Sequence, residues 1–150
     1  TTHGGYQYAA LLVKASYKPP GTMDTLPKVV GDVLALDIIP SITITRVPNI
    51  LPGPAEMGEI TGTVRVVGNV EEYKVVIFAF GDAWYVQPFT AAPYTDIDEE
   101  GNWETNTHGG SQYAALLVKP SYEPPNTTGV LPKVDGKKVL AIAKAKPKKE

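Results

Sequence analysis

The chain has 150 residues, no cysteine and a formal net charge of −2, with 43% hydrophobic and 20% charged residues. These values predict one folded domain, or one domain and part of another, and exclude disulfides and thiolate metal sites. No apolar run approaches the ~18 residues of a membrane-spanning helix, so we expect no membrane span.

Fourteen Gly and fourteen Pro lie between short runs rich in Val, Ile and Tyr, which predicts an all-β chain with many turns. The charges are unevenly spread: residues 56–104 are acidic, whereas residues 137–150 carry six lysines. That basic end lacks arginine and interleaved aromatic residues, so we expect no nucleic-acid partner. It is either a solvated terminus or a segment that docks on the acidic face of a neighbour.

In chain order, short apolar or alternating runs bounded by Gly and Pro predict the strands. The proline-rich stretch Pro48–Pro54 cannot be a central strand, and we expect it to connect to a new sheet. The most apolar run, Tyr73–Phe80, should lie centrally. The predicted strands are Gln7–Lys14, Val33–Ile39, Ile42–Thr45, Glu59–Val67, Tyr73–Phe80, Trp84–Gln87, Thr95–Asp98 leading to Trp103, the second copy of the opening stretch (residues 107–125), and Val139–Ala145.

Seven or eight strands over residues 38–146, with turn signals every 8–12 residues, suggest an immunoglobulin-like β-sandwich. The extra N-terminal part repeats the end of this region. Residues 2–20 (THGGYQYAALLVKASYKPP) match residues 107–125 (THGGSQYAALLVKPSYEPP) at sixteen of nineteen positions. The match resumes at LPKV and, after one inserted residue, at the strand that begins at Val33 or Val139.

An offset of 105 residues matches one sandwich per repeat. We therefore predict three parts: residues 1–37 are the closing strands of a preceding repeat, residues 38–146 a complete sandwich, and residues 147–150 a basic tail. The chain then holds one opening half (residues 38–106) and two closing halves (residues 1–37 and 107–146). Even in a closed ring of such chains, each chain would contribute one closing half that has no opening half to join.

The surplus strands either belong to a longer tandem array or pair with the sheet edge of another copy, since unpaired edges are templates for strand addition. A head-to-tail contact that does not close would generate a filament. One alternating face of the predicted donor strand would be buried against the neighbour. That face is either Tyr8, Ala10 and Leu12 or Ala9, Leu11 and Val13.

Residues 38–143 resemble a β-sandwich module found, often in tandem, in secreted bacterial surface proteins and beside glycoside hydrolase domains. The matching motifs are ITGTV (60–64), EYKVVIF (72–78), WYVQPF (84–89), TDIDEEGNW (95–103) and YAALLVKPSYEPP (113–125). The resemblance implies an extracellular, non-catalytic protein that acts in scaffolding, adhesion or sugar binding.

A second hypothesis is a carbohydrate-binding accessory module. Trp84 and Val86 should face one way on their strand, with Tyr85 and Gln87 facing the other. One pair is core; the outward pair, with Phe89, Tyr94 or Trp103 nearby, would form a platform for polysaccharide. The candidate platform residues are therefore Trp84, Tyr85 and Gln87.

Other motifs carry little chemistry. Asp96-x-Asp98-x-Glu100-Gly101 begins like a calcium loop, but the twelfth position is Thr107 and not a carboxylate. His108-Gly-Gly recurs in both copies without a G-x-S-x-G elbow, which favours a structural turn over an esterase. We expect no enzyme activity, no cofactor and no metal. Asn126 begins an N-x-T sequon, a candidate glycosylation site if the protein is exported.

Overall fold

A computed structural model describes residues 10–18, 33–37 and 39–148. The described chain is nearly all β and forms a sandwich, which confirms the predicted fold class. Its strands are β1 (Ala10–Val13), β2 (Val33–Asp37), β3 (Ser41–Arg46), β4 (Gly53–Arg65), β5 (Lys74–Phe80), β6 (Trp84–Gln87), β7 (Tyr94–Thr95), β8 (Asn102–Gly109), β9 (Gln112–Val118), β10 (Thr127–Thr128) and β11 (Val139–Ala145). One short 3-10 turn, Val70–Glu72, precedes β5.

The larger sheet has the order β10-β6-β5-β9-β11, with β7 also paired to β5. The smaller sheet has the order β3-β4-β8, and β1 and β2 form a separate antiparallel pair. The larger and smaller sheets pack face to face, as in immunoglobulin-like sandwiches.

The larger sheet is buried on both faces. The face towards the smaller sheet carries Val75, Ile77 and Leu117. The opposite face carries a second apolar cluster that includes Phe78 and Leu116, covered by Leu131 and Tyr122 from the segment between β9 and β11. This explains why β5 and β9 are continuously apolar and do not alternate.

The smaller sheet alternates, as predicted. Ile60, Gly62 and Val64 of β4 are buried, while the threonines between them point outward, where the hydroxyl of Thr63 bonds that of Thr43 on β3. Gly62 is required by packing: a Cβ there would lie 2.2 Å from Cζ2 of Trp103. The Trp103 indole therefore packs directly on the backbone of β4.

Two details of the predicted layout are wrong. The proline-rich stretch does not lead into a new sheet, because β3 and β4 on either side of it pair directly, with Ser41 opposite Arg65. Moreover, β4 already begins at Gly53, and its register with β8 is irregular between Gly53 and Met57. Pro54 lies in that interval, where no regular ladder hydrogen bond is needed.

The second error concerns β8, which runs from Asn102 to Gly109 and takes in Thr107 and His108. We expected little beyond Trp103 there and placed His108 in a turn. Only Trp103 and Thr107 of β8 are fully buried, and the residues between them are polar, so the run lacked the apolar alternation that marks a strand.

Candidate functional site

The β1–β2 hairpin has the same register as the β9–β11 hairpin of the sandwich. Leu11 faces Leu36 as Leu116 faces Ile142, and every other described pair of the first hairpin also corresponds to a pair of the second. Even the irregularity recurs, lying beside Val33 in one hairpin and beside Val139 in the other. The repeated sequence therefore specifies the same local pairing in both places.

The turn that follows the first strand is also repeated. The amide of Tyr17 donates to the carbonyl of Lys14 at 2.9 Å, and the amide of Tyr122 donates to that of Lys119 at the same distance. Because Pro120 stands where the first copy has Ala15, this turn does not depend on proline.

The two hairpins differ in what borders them. In the sandwich, β9 pairs along its whole length with β5 on the side away from β11, with Val76 opposite Leu116. Within the described residues no strand occupies the corresponding edge of β1. Of the predicted donor residues, Ala10–Val13 form this strand, whereas Tyr8 and Ala9 lie outside the described residues.

The three candidate platform residues do not share a surface. Trp84 and Gln87 are 7% and 4% exposed, respectively, whereas Tyr85 is 41% exposed. Trp84 packs in the second apolar cluster and makes a tilted ring contact with Phe80. Only Tyr85 of the three presents much of its ring to solvent.

Tyr85 instead borders a cleft of about 600 Å³ at the end of the sandwich where β4 begins and β8 ends. A second exposed aromatic ring, Phe89, lines it and is 55% exposed. The sequence drew attention to Tyr85, and to His108 only as part of the His-Gly-Gly motif, but not to Asp82, which lies in the turn before β6. The lining residues are Gly53, Pro54, Ala79, Gly81, Asp82, Tyr85, Val86, Gln87, Pro88, Phe89, Thr90, His108 and Gly109.

Hydrogen bonds hold the cleft walls in place. The Tyr85 hydroxyl donates to Oδ1 of Asp82 at 2.6 Å. This bond lowers the pKa of the Asp82 carboxyl and raises that of the Tyr85 hydroxyl. Oε1 of the buried Gln87 accepts the backbone N–H of His108 at 2.9 Å and lies 3.0 Å from Nδ1 of its ring. The His108 ring in turn meets Phe89 edge-on, with ring centroids 6.0 Å apart.

The glycines after His108 have structural roles. A Cβ on Gly109 would lie 1.9 Å from the carbonyl oxygen of Leu51, so the backbone there approaches too closely for any side chain. The Gly110 amide donates to the Tyr113 hydroxyl at 2.9 Å. These contacts account for the His-Gly-Gly motif without an oxyanion site.

The aspartates of the calcium-like stretch are engaged elsewhere. Oδ1 of Asp98 accepts the amides of Glu100 and Asn102, and these bonds, chiefly that from Asn102, lower its pKa. Asp96 pairs with Lys74. No group of three or more metal-ligating side chains occurs among the described residues.

The remaining sequence features lie at the surface. Asn126 is exposed, and its carbonyl accepts the amide of Val86 at 3.1 Å; its glycosylation stays a prediction. The last described residues, Lys146 and Lys148, line a shallow pocket with the end of β3. Within the described ranges, no helix is long and apolar enough to cross a membrane.

Comparisons with protein-family models, with curated proteins and with solved structures find no match for this chain. The resemblance to a tandem module of secreted surface proteins therefore stays a prediction.

Proposed function

We propose that this chain is a non-catalytic, extracellular structural protein, a segment or subunit of a tandem-repeat or polymeric surface fibre. In this proposal the β1–β2 hairpin closes the larger sheet of another module, either the preceding repeat or a second copy. The observation that carries the proposal is the identical register of the two hairpins. By this register β1 corresponds to β9, and β9 pairs with β5 along its whole length.

The chain path favours a module other than the one that follows. The end of β11 lies beside the end of β3, because Ala145 and the segment after Ile44 line one pocket. Ser41, the first residue of β3, pairs with Arg65 and therefore lies at the other end of β3 from that pocket. If β2 took the place of β11 in the same module, the segment after it would have to run back about 10 Å along β3 and cross about 10 Å between the sheets to reach Ser41.

Only residues 38–40 separate β2 from β3. The four steps from Asp37 to Ser41 span at most about 14 Å when fully extended, which leaves no slack for the two reversals that such a return requires. A hairpin that closes a separate module meets no such limit, and this supports the tandem or polymeric arrangement.

The first test is the size of the assembly. Deleting residues 1–37 should abolish assembly of the chain while residues 38–150 remain folded, because the sandwich contains its own closing hairpin. Light scattering and negative-stain microscopy measure assembly, and circular dichroism with tryptophan fluorescence measures folding. Fibres that persist after the deletion would rule out the surplus hairpin as the connector.

The second test supplies the missing half. A copy of residues 38–105 placed before residue 1, which corresponds to residue 106, should pair with the β1–β2 hairpin and form a second complete sandwich. We expect the unfolding enthalpy to rise in proportion to the added domain, and the amides of β1 to become protected from hydrogen exchange. The matched control carries Val76→Pro in the added copy alone, which removes a ladder donor from its central strand. Equal β1 protection in both fusions would contradict the proposal.

A further inference from the structure

We propose that the cleft between Tyr85 and Phe89 binds a neutral oligosaccharide. This site is independent of strand addition, because its walls come from the β5–β6 turn, the segment after β6 and the ends of β4 and β8. Of the platform that the sequence suggested, Tyr85 and its neighbour Phe89 line the cleft with exposed rings, whereas Trp84 is buried.

Two aromatic rings of the cleft are exposed and yet held in position. Tyr85 and Phe89 keep 41% and 55% of their surface exposed, although apolar rings gain free energy by burial. Tyr85 is tied to Asp82 by its hydroxyl, and Phe89 rests against the His108 ring, which Gln87 anchors from the interior. Preorganised rings lose little conformational entropy when a ligand stacks on them.

The polarity of the rim selects the class of ligand. Asp82 carries the only formal charge among the described lining residues, which include no lysine or arginine, so an anionic ligand gains nothing there. Asp82 accepts the Tyr85 hydroxyl, and a purely apolar ligand would strip water from its carboxylate without replacing the lost hydrogen bonds. A sugar offers an apolar ring face to Tyr85 and hydroxyl donors to Asp82.

The cleft is large enough for more than one sugar unit. Tyr85 and Phe89 both line it and are four residues apart, at most about 14 Å along the chain. The volume of about 600 Å³ is within the ~300–1,000 Å³ range of small-ligand sites. An oligosaccharide or a polysaccharide end therefore fits better than a single monosaccharide.

The test is affinity electrophoresis of the 150-residue chain in gels that contain soluble β-glucan, xylan, galactomannan or amylopectin. At least one of these neutral polysaccharides should retard the wild-type chain. Tyr85→Ala and Phe89→Ala should each weaken retardation by about tenfold. Tyr85→Phe, which keeps the ring and loses the bond to Asp82, should retain most of it. Tyr94→Ala, an exposed aromatic residue outside the cleft at 38%, is the matched control and should behave as wild type.

Circular dichroism and the thermal midpoint check that the variants fold, which we expect because both rings are largely exposed. Absence of retardation by all four polysaccharides would overturn the proposal, as would retardation that both cleft variants leave unchanged. A fall in particle mass in Tyr85→Ala and Phe89→Ala, without loss of retardation, would instead make the cleft a contact between copies and also overturn it.

Discussion

The two closing hairpins of this chain have almost the same sequence and the same register but very different surroundings. In the second, β9–β11, β9 pairs with β5, and the segment between β9 and β11 covers one face of the sheet. Tyr113–Val118 are all buried there. The first, β1–β2, forms a two-stranded sheet on its own. The repeated local sequence therefore gives the same strand pairing in both places, although only β9 has a further strand, β5, beside it within the described residues.

Isolated two-stranded hairpins are marginally stable in water. The β1–β2 hairpin is thus expected to draw little stability from itself and most of it from whichever opening half it joins. Equivalent substitutions in the two hairpins measure that difference. Both tryptophans, Trp84 and Trp103, lie in the sandwich, so their fluorescence reports its unfolding and not that of the first hairpin.

The largest expected difference is at Leu116 and its counterpart Leu11. Leu116 is fully buried in the second apolar cluster, so Leu116→Ala should lower the free energy of unfolding by ~2–5 kcal/mol. Because β1 belongs to a separate sheet, Leu11→Ala should change the unfolding of the sandwich by less than ~0.5 kcal/mol. Urea denaturation followed by tryptophan fluorescence measures both values. Equal losses would place the two hairpins in one cooperative unit.

Much of the fold could be predicted from the sequence because its strands follow simple patterns. The bounds of β6 and β11 agree with the prediction, since Gly81-Asp82 and Pro88 bracket the first and Val139 opens an apolar run. β8 was largely missed because its buried positions, Trp103 and Thr107, are separated by polar residues. The small strand β10 carries no pattern of its own; it pairs with β6, next to the bond from the Val86 amide to the Asn126 carbonyl.

The cleft was harder to predict because its walls are distant in sequence. Asp82, Phe89 and His108 come together only after β6 and β8 reach the same end of the sandwich. Strand alternation placed Gln87 on the same face as Tyr85 and did not decide which face is buried. Gln87 is buried, because His108 covers it and bonds to its side-chain oxygen.

The second prediction concerns Asp135, where the first copy has Val30. Oδ1 of Asp135 accepts the amides of Lys137, Lys138 and Val139 at 2.8, 2.8 and 3.0 Å, and fixes the entry to β11. Asp135→Val, which copies the first hairpin, should lower the thermal midpoint at pH 7, and Asp135→Asn should lower it less, because an acceptor oxygen remains.

The pH dependence of the same pair of proteins provides a check. The hydrogen bonds, chiefly that from Lys137, hold the pKa of Asp135 below its ordinary value of 3.8. The stabilisation is therefore complete above that value and is lost as the pH falls through the pKa of the folded state. The difference in thermal midpoint between wild type and Asp135→Val should shrink in that acid range. A difference that is independent of pH would assign the effect to packing rather than to the carboxylate.

The smallest expected difference is at Lys119 and its counterpart Lys14. The ammonium of Lys119 lies 4.2 Å from the centroid of the Tyr73 ring, which belongs to the opening half of the sandwich. Lys119→Ala should therefore cost ~0.5–1 kcal/mol of sandwich stability, and Lys119→Met, which keeps the apolar stem, should show how much of this loss is due to the charge. Lys14→Ala should leave the urea midpoint of the 150-residue chain unchanged.

In the fusion that carries an added opening half, a second Tyr73 becomes available to Lys14. The same substitution should then destabilise the added sandwich, and no effect there would mean that the first hairpin does not close a module in the way the second does.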